Sequence, residues 1–248
     1  MQLKKMNAAL QWLREKYAVK ANGELVKSAS GSIGARAELK TADGKTVKLL
    51  PWRKERRFVE LKNLVDNRTL EGVSTLRFAY MAAGKSLGEL LYRELDLCTF
   101  LGESEIRSAF AVRNGKAANV VVKLFDGKNC SVECSGALPE GAETLDRHEL
   151  IARRGVACDR TVDTQVPQSS IYVFGKDGET RYTDIDTELF GFDNEEILLI
   201  RAAYAVLSDP ALGRVWNKAD AKLVKQTADV LATEKNGKPV VYKEEKGS

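Results

Sequence analysis

The middle of the chain constrains the fold most, because it is a series of short alternating segments separated by turn residues. The segments are EIRSAFAVR, AANVVVKLF, NCSVECSGA, HELIARR and GVACDRTVD, and the turns between them contain Asn114-Gly115, Asp126-Gly127, Pro139-Glu140-Gly141 and Gly155. Short turns of this kind join neighbouring strands in antiparallel order. We therefore predict that the middle third is an antiparallel meander.

Helical patterns stand on both sides of this region. Apolar residues recur at three- and four-residue steps in residues 1–17, 57–67, 86–102, 193–208 and 217–237. Asp43-Gly44 and Lys176-Asp177-Gly178 indicate two further hairpins. The predicted fold class is α+β: a large, predominantly antiparallel sheet with helices packed on one face. The open face of that sheet is then available for oligomerisation.

Composition argues against several classes of protein. Hydrophobic residues make up 44% and charged residues 30% of the 248 residues, which is ordinary for a globular domain. No apolar run is long enough to span a membrane, and residues 1–19 lack the features of a signal peptide, so a cytoplasmic location is expected. The net charge of +4 is mild. The basic segment 51–57 is interpreted as a solvated helix start, and nucleic acid is not expected as a partner.

The sequence offers little for metal or nucleotide chemistry. Cys130 and Cys134 lie four apart in one strand, too far for a disulfide, and no CxxC pair is present. We expect reduced, half-buried thiols and no metal. Gly31 and Gly34 in ASGSIGA resemble part of a dinucleotide fingerprint, but a hairpin pattern follows them instead of a helix, so we interpret the segment as a flexible loop.

Two groups remain as candidate catalytic residues. Asp184 and Asp186, with Glu188, share one face if this segment is extended, so they form an acid cluster that binds a cation, acts in acid–base chemistry or is simply solvated. His148, the only histidine, is predicted to stand at the entry to a strand beside Asp146. Nothing in the sequence gives it a nucleophile or metal partner, and we interpret it as structural.

From Arg57 onward the order of motifs resembles the substrate-binding half of the glucose–fructose oxidoreductase / inositol dehydrogenase (Gfo/Idh/MocA) family. The motifs are RRFVELKNLVDNRTLEGVSTLRFAY, GKSLGELLYRELDLCTFLGES, AANVVVKLFDGKNCSVECS, HELIARRGVACD and ADAKLVKQTADVLATEKNGKPV. The resemblance implies two domains: an N-terminal helix-plus-hairpin extension at 1–55, and a C-terminal-type α+β domain at 56–248. About 55 residues precede the match, and the E-K-P lysine motif of the family's dinucleotide-binding domain is missing, so no nicotinamide cofactor is expected.

The resemblance also implies where a substrate would bind. The family's helix aspartate aligns with Asp96, and its catalytic histidine, three residues earlier, aligns with Arg93. Arginine stays protonated and cannot act as a general base. Tyr92, Arg93 and Asp96, together with Lys85, are the predicted substrate-binding residues. Arg93 and Asp96 at i and i+3 are also compatible with an ordinary surface ion pair.

Three functional hypotheses follow. The leading one is a non-dehydrogenase relative of a sugar oxidoreductase that assembles as a homo-oligomer or as a subunit with a full-length oxidoreductase. The second is an enzyme that acts on a sugar or keto-sugar without a nicotinamide cofactor, as a lyase, isomerase or hydrolase. The third is one half of a split NAD(P)-dependent dehydrogenase. A sugar-type small molecule is the expected ligand, and the catalytic residues are left unassigned.

Overall fold

A computed structural model describes residues 1–159, 170–175, 178–183 and 191–244, the two segments between 170 and 183 by their backbone only. The chain divides into two compact units, each built from two stretches of sequence. The first contains Met1–Arg56 and Thr183–Lys222, and the second Arg57–Tyr182 and Leu223–Ser248. In the described part of the chain, no helix is both long and apolar enough to cross a membrane.

The first unit is a small antiparallel sheet with helices against it. Its elements are α1 (Leu3–Lys16), β1 (Gly23–Lys27), β2 (Ala37–Thr41), β3 (Thr46–Lys48), a 3-10 turn (Pro51–Lys54) and α4 (Asn194–Ser208). The strand order is β1-β2-β3, and the Asp43-Gly44 hairpin is confirmed between β2 and β3. β1 was not predicted. α4 begins with the expected cap: Asp193 accepts from the backbone of Glu196, whose side chain accepts from the backbone of Asp193.

The second unit contains a sheet of seven strands. Its described elements are α2 (Arg56–Asp66), β4 (Thr75–Met81), α3 (Leu87–Gly102), β5 (Ile106–Asn114), β6 (Ala117–Leu124), β7 (Asn129–Ser135), β8 (Leu145–Ala152), β9 (Gly155–Cys158) and β12 (Val240–Val241). β10 (Ser170–Gly175) and β11 (Gly178–Thr183) form a separate two-stranded sheet. Helix α5 (Pro210–Asn236) begins in the first unit and ends in the second. It begins seven residues before the predicted start at 217.

The meander prediction is correct only in part. The order of the large sheet is β12-β5-β6-β7-β4-β8-β9, with β4 inserted between β7 and β8. β4 runs parallel to β7 and antiparallel to β8, so the sheet is mixed, although most of its pairings are antiparallel. A parallel pair cannot be joined by a short turn. Here α3 and two strands, β5 and β6, separate the two partners in sequence, and local turn signals do not show that pairing.

Alternating burial gives the large sheet one covered and one open face. On β6, Ala118, Val120, Val122 and Leu124 are buried, whereas Asn119, Val121 and Lys123 are exposed. α3 packs against β4, β6 and β7. The predicted α+β class, with a large, mostly antiparallel sheet, is confirmed.

α3 is more deeply buried than its sequence suggested. The pattern predicts one broad apolar stripe, but every residue from Leu90 to Cys98 is buried, including charged ones. Ser86 caps the helix by accepting from the backbone of Glu89, and the Glu89 carboxylate accepts from the backbone of Ser86 in return. Buried charges on a helix need partners, and these partners define the candidate site.

Candidate functional site

The four predicted substrate-binding residues lie on α3 or directly before it, in different surroundings. Tyr92 and Asp96 are completely buried, and Arg93 is nearly so. Lys85 is half-buried and lies two residues before the first turn. Its backbone carbonyl lies so close to Gly136 that a Cβ there would stand 2.2 Å from the oxygen. Among these four residues, the contacts of Arg93 with other elements define the candidate site.

Arg93 does not form its main ion pair with Asp96. Its Nη2 donates to Asp146 Oδ1 on β8 at 2.6 Å, and its guanidinium lies 3.9 Å from the centre of the Tyr80 ring on β4. A guanidinium stacked on an aromatic ring and bonded to a carboxylate is held in a fixed orientation. The interpretation of Arg93 and Asp96 as an ordinary surface ion pair is wrong, because Asp96 is inside the protein.

Asp146 joins two arginines. Besides Arg93 it binds Arg57 of α2, whose Nη2 donates to Asp146 Oδ2 at 2.5 Å. Burial alone would raise the pKa of Asp146, but Arg93 and Arg57 hold it well below its ordinary value. Arg57 also donates to Asp159, just after β9, at 2.9 Å. The interpretation of segment 51–57 as a solvated helix start is therefore wrong for Arg57.

His148 lies at the centre of this group. It stands in the middle of β8, not at its entry, and it is completely buried. Its Nε2 lies 2.9 Å from Glu94 Oε2 on α3, and its Nδ1 lies 2.7 Å from Asp159 Oδ2. Six charged or titratable side chains are thus in mutual contact, and we refer to them as the buried charge cluster: Arg57, Arg93, Glu94, Asp146, His148 and Asp159.

Three members of the buried charge cluster have a spacing that a metal ion could use. One ligand atom each from Glu94, Asp146 and His148 lies within 4.8 Å of the others. The donor set does not fit a cation, however. Both ring nitrogens of His148 already face carboxylates, and two guanidinium groups lie on the same carboxylates. A divalent cation would have to displace these partners, so we assign no metal to this cluster.

The remaining sequence candidates contribute no site. Asp184 and Asp186 lie outside the described residues. Gly31 and Gly34 lie between β1 and β2, which are antiparallel strands, so the segment is not the strand-to-helix turn that a dinucleotide needs. None of the four cysteines forms a disulfide. Cys98, Cys130 and Cys134 are buried and Cys158 is exposed, so the expectation of half-buried thiols is wrong. Burial raises the pKa values of the Cys98 and Cys134 thiols, which makes them unreactive.

The first unit contains a cavity of about 390 Å³ that holds none of the predicted residues. Its floor is apolar and includes Val47, Val206 and Leu207. Asp43 and Lys45 of the β2–β3 turn line it. Hydrogen bonds from Lys45 and Thr41 lower the pKa of Asp43 to about 2. This is a surface ion pair beside an apolar recess, with no buried polar group directed into it in the described part of the chain.

Sequence reasoning missed four members of the buried charge cluster as site residues: Arg57, Glu94, Asp146 and Asp159. A signal was present in LYRELDLC, where Arg93, Glu94 and Asp96 interrupt the most apolar helix of the chain. Charges within an apolar helix must be paired if the helix is buried all round. The identity of the partners could not be read, because they come from α2, β8 and the residue after β9.

Comparison with known proteins shows which solved structures share the fold of this chain. Neither protein-family models nor curated proteins match the sequence. Solved structures do match. One is a protein assigned as a myo-inositol dehydrogenase from Sinorhizobium meliloti, with a TM-score of 0.59 and 15% identity over 80% of this chain and 66% of the other. The myo-inositol 2-dehydrogenase of Lactobacillus plantarum gives 0.56 and 13% over 78% and 64%. The chain shares its fold with inositol dehydrogenases.

A third match is the scyllo-inositol dehydrogenase of Lactobacillus casei, solved with NAD(H) and scyllo-inositol bound. Its TM-score is 0.53 and its identity 13%, over 77% of this chain and 63% of that one. The chain thus spans slightly less than two thirds of the length of these dehydrogenases. The fold expected from the sequence motifs is the fold observed, although the sequences have diverged almost completely.

Proposed function

We propose that this protein is a non-dehydrogenase relative of the inositol dehydrogenases that acts by assembling with a second copy of itself. The observation that supports the absence of dehydrogenase activity is the position of Arg93 and its contacts. The sequence resemblance puts this residue where the family has its catalytic histidine. Its guanidinium is bound to Asp146, stacked on Tyr80 and nearly buried. An arginine cannot accept the substrate proton that accompanies hydride transfer at neutral pH.

His148 offers no replacement for that base. Its ring is completely buried, and both of its nitrogens are engaged by carboxylates. A general base must be within hydrogen-bond reach of the proton that it removes. The residues before Arg57, moreover, form α1 and an antiparallel sheet, not the parallel βαβ unit of a dinucleotide-binding domain. We therefore expect no reduction of NAD or NADP when the protein is incubated with inositols.

The open face of the large sheet supports assembly with a second copy. Four of its exposed residues are valines: Val112, Val121, Val156 and Val241. They come from β5, β6, β9 and β12 and accompany the half-buried Phe110. Val112, Val121 and Val241 lie with Phe110 on the adjacent strands β12, β5 and β6, and a contiguous exposed apolar patch is typical of an interaction surface.

Charges on the same face suit a two-fold arrangement. Lys123 on β6 and Glu133 on β7 are exposed, and neither has an ion-pair partner among the described residues. In a two-fold dimer, each side of the interface is the same patch, so a face with one charge of each sign can pair with its own copy. This self-complementarity favours a homo-oligomer over a complex with a different oxidoreductase.

The assembly is tested by measuring the molar mass in solution by light scattering. Val121→Glu places a charge on the open face, where Val121 is 60% exposed. We expect the wild-type protein to be an oligomer and V121E to be a folded monomer with an unchanged far-UV circular dichroism spectrum and a lower melting temperature. Val215→Glu is the matched control, because Val215 is 55% exposed but lies on α5. A monomeric wild-type protein, or equal oligomers in all three samples, contradicts the proposal.

The second candidate function is a sugar-directed enzyme that works without a nicotinamide cofactor. One observation favours it: the Arg57 and Asp146 side chains remain about one fifth exposed, at 20% and 18%. Such a pair can bind the hydroxyl groups of a polyol. This alternative predicts that inositols or sugar acids raise the melting temperature while NAD and NADP do not. The third hypothesis, half of a split dehydrogenase, instead predicts that an NAD-binding protein copurifies with the chain.

A further inference from the structure

The surroundings of His148 fix which form of its imidazole is compatible with the structure. The ring lies between two phenylalanines: the centre of Phe58 on α2 is 4.6 Å away, edge to face, and that of Phe78 on β4 is 4.8 Å away. The two edges of the ring that carry nitrogen point at carboxylates, Glu94 at 2.9 Å and Asp159 at 2.7 Å. Packing and hydrogen bonding together leave the ring one orientation.

A neutral imidazole cannot satisfy both contacts with ionised carboxylates. It has one N–H and one lone pair, and a lone pair facing a carboxylate oxygen is repelled. The doubly protonated ring donates at both nitrogens. In an alternative with the same number of protons, the second proton lies on Glu94 and the ring is neutral. Arg93 Nε, however, lies 3.2 Å from the other oxygen of Glu94. That positive charge stabilises the ionised carboxylate, so the proton belongs on the ring.

The charge balance of the buried charge cluster leads to the same conclusion. Glu94, Asp146 and Asp159 supply three negative charges, and Arg57 and Arg93 supply two positive ones. A protonated His148 makes the sum zero, whereas a neutral ring leaves one negative charge uncompensated in the protein interior. Uncompensated buried charge is strongly unfavourable.

Burial raises the pKa values of Tyr80, Cys98 and Cys134, so these groups are neutral near pH 7. Burial alone would lower the pKa of His148, but Glu94 and Asp159 raise it above its ordinary value. Among the described residues, the titratable or charged groups that face the ring or its direct partners are Arg57 on α2, Tyr80 on β4, Arg93, Glu94 and Cys98 on α3, Cys134 on β7, Asp146 on β8 and Asp159 after β9.

We propose that His148 is a buried imidazolium whose two N–H groups hold α3, β8 and the end of β9 together, so that the second unit contains a pH-sensitive structural switch. Asp159 is the residue that the protonated ring holds most directly. Its carboxylate accepts from the His148 ring and, at 2.8 Å, from the His148 backbone, and its own backbone N–H donates to the His148 carbonyl at 3.2 Å. A neutral ring keeps one N–H, so loss of one proton leaves a lone pair facing one of the two carboxylates and weakens the contacts that hold the end of the edge strand β9 against β8.

The direction of the pH dependence follows from linkage. A group whose pKa is raised in the folded state contributes stability that is complete below its ordinary pKa, about 6.5 for histidine. That contribution is lost as the pH rises through the folded-state pKa. The second unit therefore becomes less stable as the pH rises above about 6.5 and through the raised pKa of His148.

Because His148 is the only histidine, the form of its ring can be observed without assignment. The test is a ¹⁵N NMR titration of the wild-type protein, labelled in histidine and prepared without a polyhistidine tag. We expect two ring nitrogens that are both protonated and that titrate with a midpoint above 6.5. A ring with only one protonated nitrogen at pH 6.5 overturns the proposal, whether or not any variant folds.

The switch is tested by measuring melting temperatures from pH 6 to pH 9. We expect the melting temperature of the wild-type protein to fall as the pH rises, and His148→Gln to lose this dependence and melt lower at pH 6. Glu149→Gln is the control, because Glu149 is the next residue of β8 but pairs with Arg77 at the surface. Equal pH profiles for the wild-type protein and H148Q contradict the switch.

Discussion

At the scale of single residues, the buried charge cluster explains how an apolar helix can contain an arginine and a glutamate without cost to its packing. Removing charged groups from water is expensive, and only close opposite charges and hydrogen bonds offset that expense. Arg93 and Glu94 meet this condition through Asp146 and His148. Replacing one member leaves its partners buried and unpaired, which costs more stability than the intact pair contributes.

Arg93→Met is predicted to lower the free energy of unfolding by about 3 kcal/mol, because Asp146 and Glu94 lose a buried cation while the side-chain volume is largely kept. Chemical denaturation measures this change. Arg77→Met is the control on β4, since Arg77 is mostly exposed and its ion pair with Glu149 is worth at most about 1 kcal/mol. Similar losses in the free energy of unfolding for both variants would contradict the prediction that the buried charge cluster contributes more stability than a surface ion pair.

The residues of the cluster also show how far the sequence alone could lead. The sequence suggested that His148 is structural, and its complete burial between two carboxylates agrees with that interpretation. Its partners could not be predicted, because Glu94 precedes it by 54 positions and only the folded sheet brings them together. Lys85, Tyr92 and Asp96 remain predicted substrate ligands, although Tyr92 and Asp96 are buried.

At the scale of elements, local patterns predicted most helices and hairpins, but pairings between distant segments were missed. The Asp43-Gly44 turn and the capping box of α4 are local signals, and both were correct. The insertion of β4 between β7 and β8 depends on contacts across more than 50 residues. The need for glycine at position 136 could not be predicted either, because only the folded chain brings the carbonyl of Lys85 close to it.

The junction of α5 with strand β5 gives a prediction at this scale. The hydroxyl of Thr233 accepts from the backbone N–H of Ala111 at 2.9 Å and donates to the carbonyl of Val230. Thr233→Val leaves that buried N–H without an acceptor, and we expect a loss of about 1–3 kcal/mol in the free energy of unfolding.

Thr227→Val is the matched control for this prediction. Thr227 lies on the same helix and is equally buried, but its hydroxyl has no hydrogen-bond partner in the described structure. Replacing an unsatisfied buried hydroxyl with a methyl group is expected to be neutral or stabilising. Equal losses for T233V and T227V would contradict the role of Thr233 at the sheet edge.

At the scale of the whole molecule, the proposed function separates the fold of this chain from the chemistry of the solved structures that share it. The chain keeps the architecture of inositol dehydrogenases at 15% identity or less in the three comparisons above. Fold does not determine function. In this chain the α3 residues Arg93 and Glu94 contact Asp146 and His148 of β8. The exposed valines of the open sheet face leave assembly as the role that the surface supports best.

The measurement that tests this account most directly is an equilibrium titration of the tag-free protein with NADH, followed by the fluorescence of the nucleotide. A dehydrogenase must bind this cofactor, and micromolar affinity corresponds to about −8 kcal/mol of binding free energy, which the titration detects easily. We predict no saturable binding at micromolar concentrations. Saturable micromolar binding would contradict the account, because it would show that the protein retains a cofactor site and that Arg93 does not mark the loss of dehydrogenase chemistry.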